Sequence, residues 1–256
     1  MHVLCSPNSH HLLTLALGNK LFLAPLDKPK KVLDVGTGTG IWAIDFADEF
    51  PDADVTGVDL SPIQPSWVPP NCKFELDDVS SSWTYPDNTF DYIHIRYMVG
   101  CMNDWTALYK EAYRCLKPGG WIEHMDCSAG VFSDDGSLPP DSIFTDWRNV
   151  FREAGPKMGQ TFEVIDDDIY VGWLEAAGFK EVKSQNFKTP VGSWPADRMM
   201  KEIGQCNRLG LELGIEGFGL YILTTVMGWE YAEVQAFLDK VRAGLRNKAY
   251  HGYCLW

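Results

Sequence analysis

With 256 residues, 45% of them hydrophobic and 13% aromatic, the chain has ample core material and is not a disordered or low-complexity segment. Its 22 Lys and Arg against 35 Asp and Glu leave a formal net charge of −13, which disfavours non-specific attachment to nucleic acid or anionic membrane. Seven cysteines, at positions 5, 72, 101, 115, 127, 206 and 254, form no C-x-x-C pair. Scattered and odd in number, they read as reduced thiols of an intracellular protein rather than a disulfide frame or zinc site. No basic segment precedes a long apolar stretch, so neither signal peptide nor membrane span is expected, and the placement is cytoplasmic or nuclear.

In chain order, a helix is predicted near residues 10–17, then an apolar segment, Leu21-Phe22-Leu23-Ala24, ended by Pro25. The run Lys31-Val32-Leu33-Asp34-Val35 predicts a buried strand entering the glycine turn Gly36-Thr37-Gly38-Thr39-Gly40. Residues 41–50 follow as a helix that is apolar around most of its circumference, stopped by Pro51. A second strand covers 55–59 and ends in Asp59. The Pro-rich stretch 61–70 reads as an ordered loop, and a third strand covers 73–76, before Asp77-Asp78. Residues 80–88 are turn-rich and 90–96 form a fourth strand. Trp105, Leu108, Tyr109, Ala112 and Leu116 place one buried stripe on a helix over 104–116. Pro118-Gly119-Gly120 stops that helix, and a fifth strand covers 121–126. This alternation predicts a right-handed, doubly wound parallel sheet.

Further on, helices are expected over 141–154 and 165–177, the latter closed by Gly178, with a strand over 182–189. Residues 195–246 are largely helical by pattern, with a glycine-rich break between Gly210 and Gly219. The aromatic end, 250–256, reads as strand. The last two strands are expected to pair as a closing hairpin interrupted by a helical insertion. The organisation is then one domain: an N-terminal helical segment (1–28), an α/β core (29–190), a helical cap over the strand C-termini (195–246) and a final strand (248–256).

The glycine turn carries the chemistry. Asp59 at the tip of the second strand would accept hydrogen bonds from ribose hydroxyls, each worth about 1.5–3 kcal/mol to a charged acceptor. Dinucleotide sites space their glycines G-x-G-x-x-G, with a helix N-terminus facing a pyrophosphate. Here they fall at 36, 38 and 40, with Asp34 two positions ahead. A carboxylate there repels pyrophosphate and suits a cationic ligand, favouring S-adenosylmethionine over NAD.

These motifs resemble class I S-adenosylmethionine-dependent methyltransferases, and specifically the fungal LaeA-like family linked to control of secondary metabolism. The likeness spans roughly residues 9–256. It rests on His10-His11, Gly18-Asn19-Lys20-Leu21-Phe22-Leu23-Ala24-Pro25, the glycine turn with Ile41-Trp42, Asp59-Leu60-Ser61-Pro62-Ile63-Gln64-Pro65, Phe74-Glu75-Leu76-Asp77-Asp78, Phe90-Asp91-Tyr92-Ile93-His94-Ile95-Arg96 and Leu116-Lys117-Pro118-Gly119-Gly120-Trp121-Ile122-Glu123. The resemblance implies a seven-stranded Rossmann-like methyltransferase sheet. It implies that Asp34, Gly36, Gly38 and Gly40 wrap the methionine part of S-adenosylmethionine. Asp59 and Leu60 would hold the ribose side, and Asp78 the adenine amino group beside the Val79 N–H, with Asp77 the alternative. The family has a longer N-terminal segment and runs on past Trp256, so closure over the cofactor is expected to be weaker here.

For catalysis, many class members carry a His after strand four, where this chain has Val99-Gly100-Cys101-Met102. His124 is the first candidate base, weighed against a packed, hydrogen-bonded histidine. His94 lies deeper in its strand, and Arg96 would orient an acidic substrate, contact the cofactor or balance Asp126. No metal is expected. Trp194, Met199, Met200, Phe218, Tyr221 and Trp229 read chiefly as core, with some lining a pocket for a flat apolar acceptor. The expected activity is methylation of a small molecule. The alternative is a regulator that binds S-adenosylmethionine and acts through protein partners, with or without protein methylation.

Overall fold

The computed structural model describes residues 7–256; Cys5 and the start at Met1 lie outside the described residues. The helices are α1 (Pro7–Ala16), α2 (Ile41–Glu49), α3 (Trp105–Cys115), α4 (Ile143–Met158), α5 (Ile169–Ala177), α6 (Arg198–Tyr221) and α7 (Tyr231–Arg246). The strands are β1 (Lys31–Val35), β2 (Asp54–Asp59), β3 (Cys72–Leu76), β4 (Phe90–Arg96), β5 (Leu116–Met125), β6 (Lys188–Pro190) and β7 (Tyr253–Leu255). They group into two compact units: Asn19–Asp126 with Asp167–Ser184, and the residues up to Gly18 with Cys127–Asp166 and Gln185–Trp256.

In the sheet unit, β1 is buried on both faces, Val32 and Asp34 on one and Leu33 and Val35 on the other. It sits at the centre of a five-stranded parallel sheet of order β3-β2-β1-β4-β5. Strand order reverses between β1 and β4, and open α/β sheets take ligands at the strand ends of such a switch point. Helix α2 packs Trp42, Ala43, Phe46 and Ala47 against Val32, Val55 and Tyr92. The segment 21–24 is tied to this core at both sides. Trp42 Nε1 donates to the Leu21 carbonyl at 2.8 Å, and Glu123 of β5 accepts the Leu23 and Ala24 N–H groups at 2.8 and 2.7 Å. Asp104 caps α3, accepting the Ala107 N–H at 2.8 Å.

Two details of this unit differ from the sequence reading. β5 begins at Leu116, so Pro118-Gly119-Gly120 lies inside the strand as a bulge, between the Phe90–Leu116 and Tyr92–Trp121 pairs. Residues 165–177 are not one helix, because Asp168 adopts a φ of 54° between a 3-10 turn (Asp166–Asp168) and α5.

In the helical unit, β6 and β7 pair antiparallel as a separate two-stranded sheet. The closing pair is thus present, and among the described residues five strands make the parallel sheet and two a second sheet, in place of the expected single sheet of seven. The strand expected over 182–189 shrinks to β6, because Lys183, Ser184, Gln185 and Asn186 are all exposed and give no alternating face to bury. Asn207 of α6 holds β6 from the side, donating to the Thr189 and Pro190 carbonyls at 3.1 and 2.9 Å.

The expected glycine break is also absent. α6 runs unbroken through Gly210 and Gly219 into a π-helical turn (Ile222–Val226), and the chain turns instead at Gly228, with φ 75°. Packing overrides propensity here. A Cβ on Gly204 would collide with the Gly192 carbonyl, and one on Gly219 would press on Trp147 and Leu238. By length and composition the stretch Arg198–Val226 is apolar enough to cross a membrane. Its Glu212 and Glu216 pair with Arg246 and Arg242 of α7 at 2.8 and 3.2 Å.

Two glycines of α6 should therefore respond oppositely to a methyl group. Gly204→Ala should destabilise by about 1–3 kcal/mol through overpacking. Gly210→Ala, whose Cβ meets nothing within 4 Å, should stabilise by about 0.5–1 kcal/mol. Urea midpoints of the two variants against the parent check both signs.

Candidate cofactor site

The turn after β1 has its glycines in the left-handed region, Gly36 at φ 69°, Gly38 at 57° and Gly40 at 79°. The protein itself fills the space where side chains would go. A Cβ on Gly36 would lie 2.6 Å from Met98 Sδ, and one on Gly40 would enter the Phe74 ring. Gly36 and Thr37 donate their N–H groups to the Val58 carbonyl at 2.9 and 3.0 Å, lashing the turn to β2. The Gly38 N–H donates to Asp59 Oδ2 at 2.8 Å, and the Ser61 N–H to Asp59 Oδ1 at 3.0 Å. Each carboxylate oxygen thus accepts one bond, and a carboxylate has room for about four. Gln64, three residues on, donates from Nε2 to the Gly38 carbonyl at 2.6 Å and the Ser61 carbonyl at 2.9 Å.

Asp34 is buried beneath this turn. Its oxygens accept from Thr37 Oγ1 at 2.6 Å and His94 Nδ1 at 2.7 Å. A carboxylate can only accept, so His94 carries its proton on Nδ1. Its ring lies flat on Trp42, with centroids 3.6 Å apart at 5°. Burial holds the imidazole below its ordinary value, so His94 is a neutral histidine at neutral pH. Asp34 therefore shapes the turn, and His94 is packed at 2% exposure rather than presented to a substrate.

His124 is equally enclosed, its side chain 2% exposed. Nε2–H donates to Asp126 Oδ2 at 3.1 Å and Nδ1 accepts from the Tyr109 hydroxyl at 2.7 Å, with the ring stacked 4.9 Å from Trp105. Both ring nitrogens are engaged within the fold. Asp126 also accepts the Met98 N–H at 3.0 Å, fixing the residue that covers Gly36. Arg96 is half-buried at the end of β4, near enough for its charge to bear on His94 and Tyr92.

At the ends of β2 and β3, Leu60 is 67% exposed beside Asp59. Asp77 Oδ1 accepts the Asp78 N–H at 2.8 Å, and the Asp77 N–H reaches the Asp59 carbonyl at 3.2 Å. Asp78 is exposed and accepts from the Ser80 hydroxyl and N–H at 2.6 and 2.9 Å, which hold its carboxyl below the usual range. Val79 accepts from Trp83 Nε1 at 3.0 Å. The lid candidates divide: Phe218 and Trp229 pack on Phe151 and Phe237, whereas Met199 and Tyr221 are exposed. Trp42, Glu123 and Gln64 are structural members of the site that no chemical signal marked; each does lie in one of the quoted motifs. Among the described residues no group of three or more His, Cys, Asp or Glu could hold a metal ion.

These residues fit S-adenosylmethionine. Thr39 Oγ1 on the turn is buried without a hydrogen-bond partner, Asp59 keeps accepting capacity, and the acidic strand ends suit a cationic ligand. Residues 9–184 match the family model of a methyltransferase domain. The chain is 43% identical to Methyltransferase pytC of Aspergillus terreus over 93% of its own length and 74% of that protein. It is 36% identical to Secondary metabolism regulator LAE1 of Cochliobolus heterostrophus over 95% and 81% of the two chains. The chain is a LaeA-like, S-adenosylmethionine-dependent methyltransferase.

Its fold is that of a Haemonchus contortus phosphoethanolamine N-methyltransferase solved with S-adenosylhomocysteine, at a TM-score of 0.55 and 18% identity over 96% of this chain. The methyltransferase spans 50% of that larger chain. Its relatives put it among the fungal methyltransferases of secondary metabolism, whose acceptor is a small molecule or a protein.

The His94–Asp34 pair gives the methyltransferase a pH signature. The folded state binds fewer protons at His94 than the unfolded state, so stability falls as pH drops below the usual value of 6.5. Carboxylates held low, such as Asp91 and Glu111, act only below about pH 4.5. Melting temperature should therefore fall between about pH 7.5 and 5.5, and His94→Asn should flatten that slope.

Proposed function

We propose that this methyltransferase acts on a small molecule of fungal secondary metabolism. The reading is supported by its greater identity to a protein named as a methyltransferase, 43%, than to those named as regulators, 32–36%. The backbone of Gly36, Gly38 and Gly40 would hold the methionine part of S-adenosylmethionine, Asp59 the ribose, Leu60 an apolar face, and Asp78 or Asp77 with Val79 the adenine edge. The bound cofactor supplies a methyl group on a sulfonium that is its own leaving group. Asp34 and Asp59 keep a negative potential under that cation, and Met98, fixed by Asp126, covers the turn.

His94 and His124 are both engaged inside the fold, so the chain contributes orientation and charge rather than a histidine base. The acceptor is then one that arrives nucleophilic or loses its proton to water. A second reading, a regulator acting through protein partners in the nucleus, draws on one observation: Leu209, Leu213 and Tyr221 stand exposed along α6.

S-adenosylhomocysteine at about 100 times Kd should add about 2.7 kcal/mol of stability, raising the melting temperature, and NAD should not. Asp59→Ala should weaken binding about tenfold or more; unchanged affinity would remove Asp59 from the site. Incubated with methyl-labelled S-adenosylmethionine and fungal extract, the protein should place label in the organic-soluble fraction. Label confined to protein would favour the second reading.

A further inference from the structure

We propose that Gln64 is a cofactor-positioning residue, whose side-chain amide sets the glycine turn and the Asp59 carboxylate for S-adenosylmethionine. The inference rests on the cofactor reading above and extends it to a residue outside the binding set.

Four hydrogen bonds close a ring. Asp59 takes the N–H of Gly38 on one oxygen and the N–H of Ser61 on the other, at 2.8 and 3.0 Å. Gln64 Nε2 gives to the carbonyls of the same two residues, at 2.6 and 2.9 Å. Gly38 has no side chain to set its orientation, and both of its peptide groups are held within this ring. Its φ of 57° is therefore maintained from outside, by Asp59 on the N–H side and by Gln64 on the carbonyl side. Only a group with two donors on one atom, aimed at two carbonyls, closes the circuit at Gln64. The two acceptors also require the amide nitrogen, not the oxygen, to face them.

Removing Gln64 would open the carbonyl side and leave Asp59 free to turn with the Ser61 peptide. The ribose acceptor and the turn would then have to be ordered by the ligand itself, which lowers its affinity. Gln64 touches neither reacting atom, so it acts through Gly38 and Asp59.

The test is calorimetric titration with S-adenosylhomocysteine of the parent, Gln64→Leu and Gln64→Glu, at about pH 8 and about pH 5.5. At the higher pH both variants should bind about tenfold more weakly, because Leu offers no donor and an ionised Glu repels two carbonyls and Asp59. The same repulsion should raise the introduced Glu carboxyl above its ordinary value of about 4.3, so that at the lower pH a protonated fraction regains one donor and affinity should recover at least about threefold relative to Gln64→Leu. Asp59 in the ring, and Asp34, Asp77 and Asp78 at the neighbouring strand ends, are common to all three proteins, and Gln64→Leu adds no charge beside them. Gln64→Leu is thus the control for them. Comparing Gln64→Glu with itself at two pH values, with melting temperatures alongside, separates loss of positioning from loss of fold. Parent-like affinity of Gln64→Leu, or no recovery of Gln64→Glu, overturns the proposal. Failure of the parent itself to bind S-adenosylhomocysteine overturns the cofactor reading and this proposal with it.

Discussion

A buried carboxylate holds the centre of the sheet unit. Asp34 lies under the glycine turn, away from water, and a buried carboxyl group is tolerated only when its oxygens are satisfied. Thr37 and His94 satisfy them. That requirement reaches outward: His94 must be neutral and protonated on Nδ1, and its ring must lie flat, which Trp42 enforces from α2. Trp42 in turn holds Leu21 by its indole N–H. One carboxyl group thereby fixes the turn, β4, α2 and the segment before β1.

The second carboxylate, Asp59, is organised differently. It is half-exposed and bonded to backbone alone. The two acids divide the work: Asp34 gives the turn its shape from below, and Asp59 holds the turn's backbone with accepting capacity left. Together with Asp77 and Asp78 they make the strand ends acidic, which agrees with a sulfonium-bearing cofactor and disagrees with a pyrophosphate.

Most of the sheet unit was legible in the sequence because its signals are local. Buried strands read as apolar runs, the turn reads from its glycines, and α3 reads from one apolar stripe with Asp104 at its cap. The histidines were less legible. His94 and His124 alternate with Arg96 and Asp126 as residues at an active strand end would, yet their ring partners come from other elements: Asp34 and Trp42 for one, Tyr109 and Trp105 for the other. The glycines of α6 misled for a related reason. Their helix-breaking tendency is a local property, and close packing against Gly192 and Trp147 outweighs it.

The sequence by itself determined the βαβ order, the glycine turn, the acid that ends β2, and hence the class of cofactor, since each depends on residues within a few positions of one another. It also marked β6 and β7 as partners through their matching character across a helical insertion. Only the tertiary structure decided that these two strands form a sheet of their own, that both histidines are enclosed, and that Gln64 closes a ring with Asp59. Those outcomes depend on which groups distant in the chain come within hydrogen-bonding or van der Waals reach, and no local pattern carries that information.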